Sequence, residues 1–340
     1  MENNFKKNRL SLQKRIARIM VDSHFRNDCY NYRNLELFKY LDLIEKVAML
    51  DISKINQDES ILKMDLTQQA VIDEIYSFYS ALDEICPDIP LLPIAQKNMQ
   101  YLTFKPNYSR LKPGETPRSA CGYHSEVLPN GKEETIKEIF VYLDGDFRTI
   151  FSGPHEFAHS MSERFLNLKR FKSNAVAELI PSIVDVLAPE LYLQQHPEHK
   201  QQIVALQKAS LVNNVKKARQ TLLEACVIKV MTGEMQYADV VKKYPNLFSE
   251  GMIADCVSDI ENGLFKPLHE AQYVLPHVMA ETVLEMFKHN PEETTKQIKT
   301  TLTCDTEISL EQAYSMLKLP SIETTISTFN SKLNGQALTK

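Results

Sequence analysis

The sequence predicts a mainly α-helical protein with one small β-sheet. Only nine of the 340 residues are glycine, so few of the tight turns that connect hairpin strands are expected. Most of the chain is rich in helix-forming residues and spaces its apolar side chains as an amphipathic helix does. Segments at 120–127 and 138–143 flank a Pro-Asn-Gly turn instead, and they indicate two paired strands.

Composition and charge exclude several functional classes. A formal net charge of −5 gives no overall attraction to nucleic acid, and no phosphate-binding glycine loop is present. The six cysteines are far apart and form no CxxC pair, which favours reduced thiols over a disulfide framework. They are Cys29, Cys86, Cys121, Cys226, Cys256 and Cys304.

The beginning of the sequence gives an expectation for location. Its first 20 residues are polar and basic and lack the apolar core of a signal peptide. No later segment is apolar over the length of a membrane span. We therefore expect a cytoplasmic protein without stable membrane insertion, while export by a route that reads no N-terminal signal stays open.

Residues 1–95 are predicted to form a helical N-terminal lobe. Its helices are expected at 5–21, 32–56 and 58–86. The first has a basic polar face, a pattern more typical of a solvated packing helix than of one lying on an anionic membrane. Six prolines between Cys86 and Ser119 interrupt any long helix, so this segment is predicted to be a loop or linker.

Residues 96–340 are predicted to form a second, larger domain. After the two strands, a helix is expected within 146–172, followed by a strongly apolar helix over 175–194. Pro181 is expected to kink that helix or to lie in its first turn. Further helices are expected at 201–232, 237–243, 250–262, 268–288, 292–302 and 308–318.

The segment His155-Glu-Phe-Ala-His159 carries the clearest chemical signal. On a helix, His155 and His159 are one turn apart and project from the same face, which is the geometry that holds a zinc ion. Glu156 lies beside the first ligand and can reach a metal-bound water as a general base. We therefore expect one Zn²⁺ per chain.

Glu178 is the best candidate for a third zinc ligand. It follows His159 by 19 positions, and two packed antiparallel helices would bring the two residues together. Its neighbours are apolar, and burying a lone carboxylate among them is costly unless a cation neutralises it. Two imidazoles and one carboxylate would leave a fourth position open, as a catalytic zinc requires. A solvent-exposed Glu178 on an amphipathic helix is the alternative.

These residues resemble the zinc peptidases of the thimet oligopeptidase and oligoendopeptidase F family, which are gluzincins. The metal-site core spans residues 116–190. Pro117-Arg-Ser-Ala-Cys-Gly-Tyr123 is similar to the segment before the family's edge strand, and Ile139-Phe-Val-Tyr-Leu-Asp-Gly-Asp146 is similar to that strand. His155-Glu-Phe-Ala-His159 and Ala177-Glu-Leu-Ile-Pro-Ser182 are similar to its two zinc-binding motifs. The resemblance implies a zincin-like domain with a small sheet beside the active-site helix.

The resemblance also implies roles outside the zinc ligands. Asp185 matches an acidic position that could orient a ligand histidine, and a surface acid is an equal alternative. A weaker match lies at 269–287, within a helical region predicted at 264–290, where the family stabilises the substrate oxyanion. His269, Tyr273 and His277 share one helical face and are the candidate donors there, with ordinary packing as the alternative.

Two departures from the family leave the substrate open. Family members are usually longer, and the interval between His159 and Glu178 is shorter here, which implies a trimmed loop around 168–174. Both changes would open the cleft to long chains or folded proteins. Small peptides and intact proteins therefore both stay candidate substrates, and the sequence does not determine the oligomeric state.

The predicted activity is zinc-dependent hydrolysis of peptide bonds with Glu156 as the general base. Substrate is expected to lie extended along the strand near 139–145 by strand addition. The alternatives are an effector-type protease dedicated to one intact protein, and a non-catalytic binding protein that keeps the fold. Retention of Glu156 argues against the non-catalytic alternative.

Three other histidines carry weaker chemical signals. His124 beside Cys121 could suggest a second metal site or a thiol nucleophile, but a lone histidine and cysteine in a strand are usually packing residues. His196 and His199 lie in a polar turn and are predicted to be solvent-exposed.

Overall fold

A computed structural model describes most of the chain. The described residues are 14, 15, 17, 36–55, 58–106, 119–127, 133–161, 174–245, 247–248, 250–262, 268–304 and 308–335. Within these ranges the protein is mainly helical with one three-stranded sheet, as predicted. None of the described helices is both long enough and apolar enough to cross a membrane.

Twelve α-helices and three strands are used below, in chain order. The helices are α1 (Leu41–Ala48), α2 (Gln68–Ile85), α3 (Leu92–Asn98), α4 (Thr149–Met161), α5 (Asn174–Gln195), α6 (Lys200–Met231), α7 (Tyr237–Lys243), α8 (Glu250–Glu261), α9 (Ala271–His289), α10 (Pro291–Leu302), α11 (Leu310–Met316) and α12 (Ile322–Leu333). The strands are β1 (Leu102–Pro106), β2 (Ala120–Val127) and β3 (Glu133–Leu143).

Contacts divide the chain into two compact units. The first is Met1–Asp51 with Asn214–Val274, and the second is Ile52–Asn213 with Leu275–Lys340. This division differs from the predicted boundary near residue 95, because α2 and α3 pack on α4. The Tyr79 hydroxyl of α2 donates to the Pro154 carbonyl at 2.8 Å. Helices predicted to form a separate lobe therefore belong to the unit that contains α4.

The sheet has the order β1-β3-β2, with β1 parallel and β2 antiparallel to β3. Ile139 and Val141 of β3 point to one face and are fully buried, as period-2 alternation requires. β3 is the central strand of the described sheet, but of the segment 139–145, predicted to be an edge strand, only Ile139 and Phe140 pair with both neighbours. Residues 141–143 pair with β1 alone, so the edge prediction is wrong for the first two residues only, and strand addition of a substrate there stays a prediction. Among the described strands, β1 and β2 are the outer ones.

Helix α4 lies very close to α2 where a glycine faces the partner helix. A Cβ atom added to Gly153 would lie 2.7 Å from Val71 Cγ1 and 2.9 Å from Ile75 Cδ1. Both side chains are fully buried, so neither has free space into which to move. Glycine at this position therefore sets the distance at which α4 packs, two residues before the first motif histidine.

Differences from the predicted elements have local causes. The helix predicted from residue 58 begins at Gln68, where the Thr67 hydroxyl caps it by accepting from the Ala70 amide at 3.1 Å. The proline-rich segment 86–119, predicted to be a loop, contains α3 and β1. Helix α12 was not predicted. Most of the helix expected at 5–21, and nearly all of the loop expected at 168–174, lie outside the described residues.

Candidate metal centre

Helix α4 presents His155 and His159 on one face, as predicted, with their ring centroids 5.0 Å apart. Glu178 approaches them from α5, which packs along α4. Each of the three side chains offers one metal-ligating atom, and these atoms all lie within 4.8 Å of one another. We call this group of His155, His159 and Glu178 the helix cluster.

Glu178 has the contacts of a metal ligand rather than those of a surface acid. Its Oε2 atom is buried, makes no hydrogen bond, and lies 3.4 Å from Nε2 of His159. A charge-assisted N–H···O bond would be shorter, about 2.7–2.9 Å. Two tetrahedral ligands, each about 2.0–2.1 Å from one zinc ion, are separated by roughly 3.4 Å. The donor set and its spacing therefore fit a zinc ion.

Asp185 supports His155 through the ring nitrogen that is not expected to bind the metal. Its Oδ1 atom lies 2.9 Å from Nδ1 of His155, so a proton on Nδ1 leaves Nε2 as the ligand atom. Burial lowers the pKa of His155, but the charge and hydrogen bond of Asp185 outweigh this and raise the pKa to about 10. The surrounding acids therefore favour positive charge at this site, and a zinc ion would have to displace a proton from His155 in order to bind.

Glu156 lies next to the cluster and is almost completely buried. Burial raises its pKa, while the two neighbouring histidines oppose that shift. The carboxyl group therefore holds a proton more readily than an exposed glutamate does. Acceptance and return of one proton near neutral pH is the property that a general base needs.

A cavity of about 480 Å³ opens beside His155 and Glu156. One part of its wall is apolar and includes Val186, Pro189, Leu206 and Leu284. The opposite part is polar and follows the segment between β3 and α4. There the Thr149 hydroxyl donates to Asp144 at 2.6 Å, and Arg148 Nε donates to Asp146 at 3.0 Å. The cavity therefore offers an extended substrate both apolar and charged contacts.

The three predicted oxyanion donors lie in different surroundings. His277 is buried, and its Nε2 atom lies 3.1 Å from the hydroxyl of Ser210, a residue of the cavity wall. His269 and Tyr273 belong to the other compact unit. There their rings contact each other, and the Lys217 ammonium lies 4.1 Å from the Tyr273 ring centre. The roles of all three stay predictions.

Sequence reasoning missed two residues that hold the end of α4. Lys137 Nζ of β3 donates to the Ser160 carbonyl at 2.7 Å, and Asn98 donates to the Ser160 hydroxyl at 2.9 Å. A cation at a helix C-terminus is favourable because it faces unsatisfied carbonyl groups. Neither residue has a sequence signal, because each lies far from α4 along the chain.

His124 and Cys121 were predicted to be packing residues. The side chain of His124 lies outside the described residues.

Comparison with known proteins gives matches at the level of structure. No protein-family profile matches the chain. No curated protein matches it in sequence. A crystal structure assigned as an oligoendopeptidase F from Bacillus anthracis is similar over 98% of this chain, with a TM-score of 0.54 and 13% identity. PZ peptidase A, solved with an inhibitor, is similar over 95% of this chain, with a TM-score of 0.56 and 12% identity.

The chain has the fold of these peptidases. It spans 63% of the length of the oligoendopeptidase F structure and 58% of the length of PZ peptidase A. The predicted fold class is therefore confirmed, namely a mainly helical, zincin-like domain with a small sheet beside α4. At 12–13% identity the similarity is one of fold, so activity has to be argued from the helix cluster itself.

Proposed function

We propose that the protein is a zinc-dependent metallopeptidase. The observation that carries this proposal is the convergence of His155, His159 and Glu178 from two helices, with the carboxyl group of Glu156 buried beside them. A structural zinc site needs no such base, and it is normally closed by four protein ligands. Three ligands next to a cavity are the arrangement of a catalytic centre.

Each residue of the site has one proposed task. His155, His159 and Glu178 hold the ion, and Asp185 keeps His155 in the tautomer that binds through Nε2. The chemistry that a bound Zn²⁺ supplies here is Lewis acidity toward the scissile carbonyl group and a lowered pKa of water.

Glu156 is the proposed general base and acid. Its carboxylate accepts a proton from the attacking water and then returns that proton to the leaving amine. The raised pKa of Glu156 supports the second half of this task, because a carboxyl group that holds its proton can deliver it to nitrogen. His277, the predicted donor that lies in the same compact unit as the helix cluster, is proposed to donate a hydrogen bond to the developing oxyanion.

The proposed substrate is a peptide or a protein segment that binds in an extended form in the cavity. The apolar wall of Val186, Pro189 and Leu206 would receive a side chain, and the polar wall near Asp144 would bind backbone groups. Both small peptides and an intact protein are compatible with this cavity. The lengths of the products distinguish them, because a peptide trimmer gives many short fragments and a dedicated protease gives one or two cuts.

The test is the substitution Glu156→Gln, with peptide hydrolysis and bound zinc both measured. We expect kcat to fall about 10²–10⁴-fold while the chain keeps one zinc in the helix cluster, because Gln cannot accept the proton. Glu190→Gln is the matched control, since Glu190 is a half-buried carboxylate of α5 that pairs with Lys288 at 3.6 Å. A wild-type chain that binds zinc but cleaves no member of a broad peptide library would contradict the proposal and favour a binding protein.

A further inference from the structure

The turn between α5 and α6 holds a second group of histidine and glutamate side chains. It consists of His196, Glu198 and His199, around the short 3-10 turn Pro197–His199. Each side chain offers one ligating atom, and the three atoms lie within 4.8 Å of one another. We call these three residues the turn cluster, and we propose that it is a second binding site for a divalent transition-metal ion such as zinc.

The rings of the turn cluster are held in place before any ion binds. Tyr192, in the last turn of α5, stacks on His196 with ring centroids 4.3 Å apart. Its ring is nearly parallel to that of His199, at 6° and 5.7 Å, and Phe147 contacts His199 from another side at 5.5 Å. Histidines packed in this way lose little rotational freedom on binding a metal. The turn is largely exposed, as predicted, with 43% of the His196 side chain accessible, but the stacking of its rings on Tyr192 was not predicted.

Tyr192 also determines which nitrogen of His199 can bind a metal. Its hydroxyl oxygen lies 2.8 Å from Nδ1 of His199. When Nδ1 carries the proton and donates it to this oxygen, Nε2 keeps a lone pair for the ion. Tyr192 thus supports a ligand histidine from outside the metal shell, as Asp185 does in the helix cluster.

The spacing of the carboxylate matches that in the helix cluster. Glu198 Oε1 lies 3.4 Å from Nδ1 of His196, which is the same N–O separation as between Glu178 and His159. It is longer than a charge-assisted hydrogen bond of about 2.7–2.9 Å, and it is close to the roughly 3.4 Å between two tetrahedral zinc ligands.

The turn cluster lacks a residue that could act as a catalytic base. Glu198 is itself a donor, so the three residues include no counterpart of the base Glu156. The two imidazoles and one carboxylate suit zinc, nickel or copper better than calcium or magnesium, which prefer oxygen ligands. A bound ion would join the end of α5 to the beginning of α6. Helix α5 carries Glu178 and Asp185 nearer its beginning and middle, and α6 carries Leu206 and Ser210 of the cavity wall.

The experiment counts metal ions and does not use activity. The full chain is freed of metal, and zinc is then titrated into it by calorimetry. The decisive variant is His155→Ala with His159→Ala, which removes the helix cluster. We expect it to bind one equivalent of zinc, and we expect additional His196→Ala and His199→Ala substitutions to abolish this binding. Failure of the proposed catalytic site would leave this result unchanged.

Further variants distinguish a preformed metal site from nonspecific binding of zinc by surface histidines. His289→Ala removes an exposed histidine at the end of α9 and should leave the count unchanged. Tyr192→Phe should weaken zinc binding by the turn cluster about tenfold, as loss of a supporting residue does. His196→Gln with His199→Gln, which keeps the polarity of the turn, should lose the site even if the alanine variants fold poorly. A helix-cluster variant that binds no zinc, or that keeps its equivalent without His196 and His199, would overturn the proposal.

Discussion

Two histidines and one glutamate occur together at two places in the described part of the chain, and the two clusters differ in their surroundings. In the helix cluster, the acid comes from a different helix than the histidines, and Asp185 lies behind one imidazole. Its neighbours are the buried Glu156 and a cavity. In the turn cluster all three donors lie within four residues, and the glutamate is exposed. Tyr192 is the supporting residue there.

The comparison separates metal binding from catalysis. Both clusters offer the same types of donor, and in each a histidine nitrogen lies 3.4 Å from a glutamate oxygen. Only the helix cluster combines those donors with a base of raised pKa and a cavity next to it. Donor type and spacing therefore indicate that an ion can bind, whereas burial and the neighbouring groups indicate what a bound ion can do.

Removal of one carboxylate from each cluster should give the largest contrast. For Glu178→Ala we expect loss of the zinc in the helix cluster and a fall in peptidase activity of about 10³-fold or more, because two imidazoles alone hold zinc weakly. For Glu198→Ala we expect unchanged activity. Metal analysis and kcat/KM of the two variants make the comparison. Equal losses of activity would show that our division of roles is incorrect.

Asp185→Asn should have an intermediate effect. An amide can accept the His155 N–H but lacks the charge that stabilises it, so we expect zinc affinity at the helix cluster to fall about 10–100-fold. Competition with a chromophoric chelator measures this affinity, and excess zinc should restore most of the activity. Glu190→Gln, on the same helix, is the control and should bind zinc as the wild type does. A wild-type affinity in Asp185→Asn would mean that Asp185 is only a surface acid.

Gly153→Ala should have the smallest effect on the metal and act mainly on stability. The new methyl group would overlap Val71 and Ile75, and such overpacking costs about 1–3 kcal/mol. Alanine recovers about 1 kcal/mol of helix propensity, so the expected net loss is at most about 2 kcal/mol. Urea unfolding measures it. Gly122→Ala, where the added atom meets nothing within 4 Å, should be close to neutral, and zinc binding by the turn cluster should be unchanged in both.

Much of the helix cluster could be predicted because its information is local. His155, Glu156 and His159 lie within one helical turn and a half, and Glu178 is an acid among apolar residues on the next helix. The predicted bounds of α5 to α10 also agree with the structure to within a few residues, since the spacing of apolar residues along a helix is a local pattern. These features depend on neighbours in the sequence, which a single sequence contains.

What could not be predicted depends on contacts between distant segments. The central position of β3 follows from its pairing with β1, a short strand inside a proline-rich segment that lacks the usual strand pattern. The support of α4 by Lys137 and Asn98 joins residues that are 23 and 62 positions from Ser160. The sequence indicated only that the turn cluster is exposed. The stacking of His196 and His199 on Tyr192 could not be predicted, because it depends on the three-dimensional path of the chain at the end of α5.

Pro189 lies inside α5, four residues after Asp185, and both residues line the cavity. Proline has no amide hydrogen, so the helix cannot supply the donor that would normally bond to the Asp185 carbonyl oxygen. The residue that directs its carboxylate to His155 therefore has a main-chain acceptor without its usual helical donor. An extended substrate can donate a backbone N–H to such an acceptor whatever its side chains are, which would favour recognition of the peptide chain itself over recognition of a particular sequence.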